Sequence, residues 1–437
     1  MANLVRKINS KLDDVVNAYQ FYQITRYLTS VIISVIMVRS GLSKDGLGSY
    51  ELLIFITSSL SYFWSTGIKN AMISFYPTVD DKLRFIHTVL VLLVLLGIST
   101  GIIIFLFPQF ISYLFTEDES IHHLGVAAVY LALASPLMMI ENVLLIRRNS
   151  SELKYYALWN PALTLLIVIT IAFLNPSVKA FLLGIIIVSV VKLIYLTYIV
   201  ELHKFKTWNN EIARTFLLFS IPLILNMALG SAMDFVDGWF VSKYFDSGTF
   251  AIFRYGSREL PLSAVLYSSL SAAMIPLLMN GRIKSDELKI RATLLMHYLF
   301  PVSIVLILAS PYIFSVIYSP EFRTSAFIFN IYLLILTSRV LIPQAYNLAL
   351  HQHKIIIWSG IAELICNIIL SYWWMQRWGI YGLAFATMFS YFIQKIILIL
   401  FNKRKNDIPF SAYINLKYYF AYCIVSILAV CFTFKFL

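Results

Sequence analysis

Residues 86–107 read IHTVLVLLVLLGISTGIIIFLF, bounded by Lys82 and Arg84 before and Pro108 after, with no Asp, Glu, Lys or Arg inside. A helix crosses the hydrocarbon of a bilayer with roughly 20 apolar residues, so this stretch reads as a membrane span. Outward from it, apolar runs of similar length recur at 17–40, 50–76, 122–147, 153–174 and 177–201. A second set follows at 213–242, 249–280, 289–317, 325–349, 354–374, 380–401 and 414–436. The linkers are too short to fold as a catalytic domain, so function is expected within the membrane.

Composition points the same way. Of 437 residues, 60% are hydrophobic and 13% charged, with a mean hydropathy of +0.80. One water-soluble core could not hide so much apolar surface. Met1 to Asp14 is polar and basic, unlike a secretory leader, so the first apolar run is expected to remain as a membrane helix. Cys366, Cys423 and Cys431 lie in apolar runs without CxxC or Cys/His spacing, which suggests neither disulfides nor a metal site. The net charge of +12 is scattered in short clusters between spans, a topology signal and not a nucleic-acid footprint.

Those clusters orient the chain. Arg6, Lys7, Lys11, Lys82, Arg84, Arg147, Arg148, Lys154, Lys204, Lys206 and Arg214 fall on one side. Arg282, Lys284, Lys289, Arg291, Lys354, Lys403, Arg404, Lys405 and Lys417 continue the series. The opposite side holds only Arg39, Lys44, Lys179, Lys243, Arg323, Arg377 and Lys435. The positive-inside rule then puts the N-terminus in the cytoplasm and, with an odd number of spans, the C-terminus outside.

The two halves echo each other at a lag of about 200 residues, the spacing of six spans with their loops. Phe107-Pro108 through Phe115 answers Ser310-Pro311 through Tyr318, and Ala71-Met72-Ile73 answers Ala273-Met274-Ile275. Lys154 and Trp159 answer Lys354 and Trp358, and Val191-Lys192 answers Gln394-Lys395. The expected fold is therefore an all-α polytopic membrane protein with two six-helix bundles in parallel repeat around a central cavity. Its parts are an N-terminal bundle at 1–203, a C-terminal bundle at 204–405 and an appended transmembrane helix at 406–437.

Polar residues follow helical periodicity inside several spans. Gln20, Gln23, Arg26, Ser30 and Ser34 form one stripe, Ser58, Ser61, Ser65 and Lys69 a second, and Ser359, Glu363, Asn367 and Ser371 a third. Asn226, Gly230, Asp234 and Asp237 follow in the seventh span, with Arg254, Arg258 and Glu259 in the eighth. Ionisable groups at bilayer depth cost at least ~2.5–3.5 kcal/mol on insertion scales and are functional candidates by default. The stripes either line a water-filled lumen or form packing seams. Asp234 and Asp237 form either an ion pair with Arg254 and Arg258 or a proton or cation site. Glu141 and Arg339 lie in the inward halves of the fourth and tenth spans, and Lys192 and Lys395 read as snorkelling anchors.

The segment DGWFVSKYFDSGTFAIFRYG at 237–256 resembles the corresponding junction in the multidrug, oligosaccharidyl-lipid and polysaccharide exporter superfamily, most nearly its O-antigen and capsule flippases. Gly238 stands where that branch commonly has Arg. The resemblance implies a flippase in a bacterial inner membrane that moves an undecaprenyl-pyrophosphate-linked oligosaccharide (O-antigen, capsule or exopolysaccharide repeat unit) to the outer leaflet by alternating access. Its partners would be this lipid-linked glycan, membrane lipid, glycosyltransferases and a glycan polymerase, with no cofactor and no nucleic acid. Arg26, Lys69, Arg254, Arg258 and Arg339 would contact the pyrophosphate, since cations pair with phosphate oxygens. Gln20, Gln23, Ser30, Asn226 and Asn367 would line the cavity. Glu141, Asp234, Asp237, Glu259 and Glu363 are candidates for ion coupling, there being no nucleotide-binding motif.

Two rivals are weighed against this. A drug/cation antiporter of the same fold would want a net acidic cavity. The first half instead sets Arg26 and Lys69 against Glu141 alone. A membrane-embedded glycan polymerase or ligase would need an acid/base constellation on a large outer loop, and the loops hold none.

Overall fold

The computed structural model describes residues 2–117, 120–206, 208–258, 261–279 and 286–435; side chains at 2–13, 226–231, 234, 261–265 and 286 are outside the description. Everything regular in it is helical. The helices are α1 (Ala2–Arg39), α2 (Lys44–Phe75), α3 (Lys82–Leu106), α4 (Pro108–Phe115), α5 (Leu124–Leu137) and α6 (Met139–Ile146). Next come α7 (Ser150–Leu174), α8 (Val178–Ile199), α9 (Asn210–Tyr244), α10 (Ser247–Gly256), α11 (Pro261–Met279) and α12 (Asp286–Ile317). The chain ends with α13 (Arg323–Leu334), α14 (Leu336–Arg339), α15 (Pro343–Ala349), α16 (His353–Trp378), α17 (Ile380–Asn406) and α18 (Leu416–Phe434). Among the described residues nine helices are long and apolar enough to cross a membrane, and ten if the bent α13–α15 segment counts as one span. The protein is a multi-pass membrane protein.

Local chemistry sets the helix ends. Ser43 accepts from the Gly46 N–H to cap α2, Asp81 from Arg84 to cap α3, and Ser177 from Ala180 to cap α8. Asn149 caps α7 by accepting from the Glu152 N–H, and its own amide donates to the Glu152 carboxylate at 2.6 Å. Prolines decide where spans break. Pro108 pushes Phe107 out of helical geometry, so α3 ends and α4 begins, a short helix that the sequence reading did not resolve. Pro311 meets a different fate inside α12, which runs on to Ile317. The hydroxyl of the preceding Ser310 donates to the Ile307 carbonyl at 2.9 Å, the acceptor that proline leaves without its N–H.

The contacts sort into two units, Met1–Ala228 with Ser242–Gly248, and Leu229–Val241 with Thr249–Leu437. In the first, Gly97 and Gly101 bring α3 close to α5. A Cβ on Gly97 would stand 2.5 Å from Ser135, and one on Gly101 3.1 Å from the Ala128 carbonyl. Such small-residue seams drive helix association where lipid offers no hydrophobic gain. Around them lies a core of Phe85, Val89, Leu93, Ile140, Val143, Leu153, Tyr156 and Phe216.

The loop after α8 is tied back to this unit. His87 Nδ1 accepts from the Lys206 N–H at 3.0 Å while Nε2 faces the Val200 carbonyl at 2.8 Å, which fixes the ring proton on Nε2. Lys206 reaches Asp81 at 2.9 Å, and Arg147 reaches the Ile199 carbonyl at 2.7 Å and Glu201 at 3.1 Å.

In the second unit the last helix is a full partner. The Tyr419 hydroxyl donates to the Thr337 carbonyl at 3.0 Å, and Tyr422 meets His297 at 3.1 Å. The Asn330 amide donates to Thr433 at 3.1 Å and its carbonyl accepts from Ser310 at 2.7 Å, joining α12, α13 and α18. Asn347, Gln352, Asn402, Asn406 and Tyr413 form a second buried network at the other end of α15 and α17.

Candidate functional site

In the first unit, the fourth span breaks after Pro136, and α6 restarts with Glu141 in its first turn. A carboxylate in the first turn of a helix is favoured by the helix dipole. Its side chain is 5% exposed, and two cations address it. The Lys69 ammonium of α2 is in direct contact with Oε1, and the Arg26 guanidinium of α1 lies 3.6 Å from Oε2. The Arg26 side chain is 57% exposed and Lys69 20%, so the cluster opens on its cationic side. Arg26 also lies 5.8 Å from the centroid of Tyr22, whose ring packs on Tyr156, and Tyr156 stacks on Tyr195. Asn142, beside Glu141, donates to the Lys69 carbonyl at 3.1 Å and fixes α6 against α2.

A further cation lies near the cluster. Lys192 of α8, assigned as a snorkelling anchor, is half-buried within electrostatic reach of Arg26. Its signal was faint, since helical phase within one span says nothing of which neighbours it meets. On α1, Gln20 and Ser30 are exposed with Arg26 and Gln23 is partly so, whereas Ser34 is buried. On α2 the stripe lines a cavity of about 140 Å³ shared with α5, walled by Thr57, Ser58, Ser61, Trp64, Ser65 and Ser135. Thr57, Ser61, Ser65 and Ser135 donate to carbonyls of their own helices, so their oxygens face the cavity as acceptors.

The second unit holds its charge differently. Asp237 of α9 is 2% exposed and accepts from the Tyr332 hydroxyl at 2.8 Å and from the Thr387 hydroxyl. Asn367 donates to Thr387 at 3.1 Å, and among the described residues the Asn367 carbonyl and the Ser371 hydroxyl have no hydrogen-bond partner. The stripe Ser359, Glu363, Asn367 and Ser371 is the buried face of α16. Where periodicity admits a water-filled lumen, this helix turns its polar side into protein and exposes Ile357, Trp358, Ile365, Ile369 and Trp373.

Lys395 is likewise no snorkelling anchor. It is 6% exposed, and its ammonium donates to Gln344 at 2.9 Å. Arg339, in the last turn of α14, lies over the Tyr391 ring at 5.3 Å. Arg258 lies over Tyr255 at 4.8 Å, and Arg254 is half-buried on α10. Glu259 and the side chains of Asn226 and Asp234 lie outside the described residues. Among the described residues no three His, Cys, Asp or Glu side chains gather as metal ligands, and the three cysteines are free.

A sequence family described as polysaccharide biosynthesis protein matches residues 36–327, more than half of the chain. The chain belongs to this family. No curated protein matches it. Among solved structures, the lipid II flippase MurJ in an inward closed conformation superposes with a TM-score of 0.67 at 19% identity, covering 94% of this chain and 97% of that one. An inward-facing multidrug resistance MATE family transporter of the MOP superfamily gives 0.58 at 14% identity, covering 86% and 94%. A MOP superfamily transporter from Pyrococcus furiosus Vc1, described as having a binding pocket of reverse polarity, gives 0.56 at 14%, covering 91% and 95%. At these identities the likeness shows the fold. This polysaccharide biosynthesis protein thus has the fold of flippases and transporters, as its sequence predicts.

Proposed function

We propose that the protein flips a polyprenyl-pyrophosphate-linked oligosaccharide, of the undecaprenyl class, from the cytoplasmic to the outer leaflet of the inner membrane, with its N-terminus in the cytoplasm. The observation that carries this reading is the open cluster of Arg26 and Lys69 on a single carboxylate, within a family of polysaccharide biosynthesis. A pyrophosphate and a hydrated glycan cannot cross hydrocarbon unaided, while the polyprenyl tail can stay in lipid. Glu141 acts as a placeholder anion: it keeps both cations compensated in the empty protein and yields them to the pyrophosphate, which guanidinium and ammonium groups bind strongly. The acceptor oxygens of the α2–α5 cavity, beside Trp64, suit sugar hydroxyls.

Ion coupling is assigned to Asp237. Its carboxylate, the Thr387 hydroxyl and the unpartnered Asn367 carbonyl and Ser371 hydroxyl are hard oxygen donors, a set that fits an alkali cation. The antiporter rival shares this fold, and one experiment separates the two. Purified protein in proteoliposomes is assayed for head-group translocation of a polyprenyl-pyrophosphate oligosaccharide beside efflux of a cationic dye. Lipid translocation without dye efflux is expected, and Arg26→Ala should lower it at least tenfold. Dye efflux alone would replace the flippase by a multidrug antiporter.

A further inference from the structure

Glu363 is the buried group that the transport reading leaves unused. Its α16 face is closed by protein, its residue is 6% exposed, and its Oε1 has no hydrogen-bond partner among the described residues. Two cations act on it electrostatically, Lys395 from α17 and Arg339 from α14. Neither makes an ion pair with it among the described residues, in contrast to the direct contact that Lys69 makes with Glu141. The Lys395 ammonium turns instead to the neutral carbonyl of Gln344. Were Glu363 ionised, a mobile ammonium within reach would be drawn to it, because a buried carboxylate without a contact partner is the costliest arrangement available. A neutral carboxyl removes both the cost and the pull.

We propose that Glu363 is a proton-binding site, occupied in this conformation and emptied when Lys395 swings from Gln344 to the carboxyl. The proton then leaves the carboxyl oxygen to water, giving carboxylate and hydronium, while Lys395 stays an ammonium and becomes the counter-ion. Placement gives the exchange a mechanical consequence. Gln344 sits on α15, beyond a bend of 42° from Pro320–Arg339, and Arg339 ends the segment before the bend. A proton on α16 therefore decides whether Lys395 of α17 holds the far side of that bend. The other titratable groups facing the cluster are Tyr391 of α17, under Arg339, and Tyr267 of α11, within reach of Arg339. Glu363 lies about one helical turn before Asn367 on the buried face of α16, and only the use of the proton, not its presence, rests on the transport reading.

The test is infrared difference spectroscopy of the full chain in nanodiscs at neutral pH, reading the C=O stretch of protonated carboxyl groups. Wild type should show a buried-acid band that is lost in Glu363→Gln, whose amide keeps the shape and neutrality of the protonated acid. Gln344→Ala, which frees Lys395, should weaken the band, and Lys395→Met should retain it. Identical bands in wild type and Glu363→Gln would overturn the proposal, as would loss of the band in Lys395→Met or its full retention in Gln344→Ala. The spectra need no transported substrate, so failure of the flippase reading would leave this result standing.

Discussion

Glu141 and Glu363 are both glutamates deep in a helix bundle with two cations nearby, yet each unit treats its carboxylate differently. Glu141 is in contact with Lys69 and 3.6 Å from Arg26, whose side chain is more than half exposed. Among the described residues Glu363 makes no ion pair with Lys395 or Arg339, and Lys395 is 6% exposed. The difference teaches that a formal count of buried charge is a poor guide to function. An open ion pair can trade its anion for a larger one from the membrane. A sealed, unpaired acid can exchange only something as small as a proton.

The strongest way to break this comparison is to remove one cation from each cluster. Breaking a buried pair by deleting one partner costs about 3–5 kcal/mol, because an uncompensated charge stays behind. Lys69→Ala should therefore lower unfolding stability by about 3 kcal/mol, and adding Glu141→Gln should restore most of it. Lys395→Met should cost less, about 1.5–3 kcal/mol, the scale of a hydrogen bond from a charged group such as the one it makes to Gln344. Reversible unfolding of the three variants in detergent measures both. Equal losses at the two sites would mean that the clusters are built alike.

A smaller effect sharpens the same contrast through binding. With the placeholder neutralised, Glu141→Gln should bind a short isoprenyl pyrophosphate about tenfold more tightly, ~1.4 kcal/mol by calorimetry. Glu363→Gln should leave that affinity unchanged. Unchanged binding in Glu141→Gln would separate Glu141 from the head-group site.

Much of this was legible in the sequence. The expected spans at 86–107, 153–174, 177–201, 289–317, 354–374 and 380–401 each coincide with one long apolar helix, because a run of about 20 apolar residues admits few alternatives in lipid. Arg26, Lys69 and Glu141 were all singled out, but not that they meet. Their contact is made between three helices, and helical phase within one span does not report which neighbours a face will meet. The fate of each proline was also hidden: Phe107-Pro108 breaks a helix where Ser310-Pro311 continues one, with the Ser310 hydroxyl on the Ile307 carbonyl. Helical phase grouped Ser359, Glu363, Asn367 and Ser371 correctly, yet period alone cannot distinguish a wall facing water from a seam facing α17.

The smallest effect concerns the loop tied to α3, where both charges lie outside the spans. The Asp81 carboxyl is held below the ordinary carboxylate range, first by the hydrogen bond from the Lys206 ammonium and then by the Arg84 N–H. Glu201 is held down in the same way, chiefly by Lys204. A depressed carboxyl contributes its stability above the ordinary value, and the contribution is lost as pH falls through the folded one. The clamp on 200–206 should therefore hold at neutral pH and loosen in acid. Both carboxylates are about one-third exposed, and exposed pairs are worth ~0.2–1 kcal/mol. Amide exchange around Lys206 should accordingly exceed its expected intrinsic pH trend by about two- to fivefold on acidification. Asp81→Asn should abolish most of that excess, since an amide cannot titrate. If the variant keeps the full acid response, the Asp81–Lys206 pair is not what fastens the loop, and the tether resides in the His87 and Arg147 contacts.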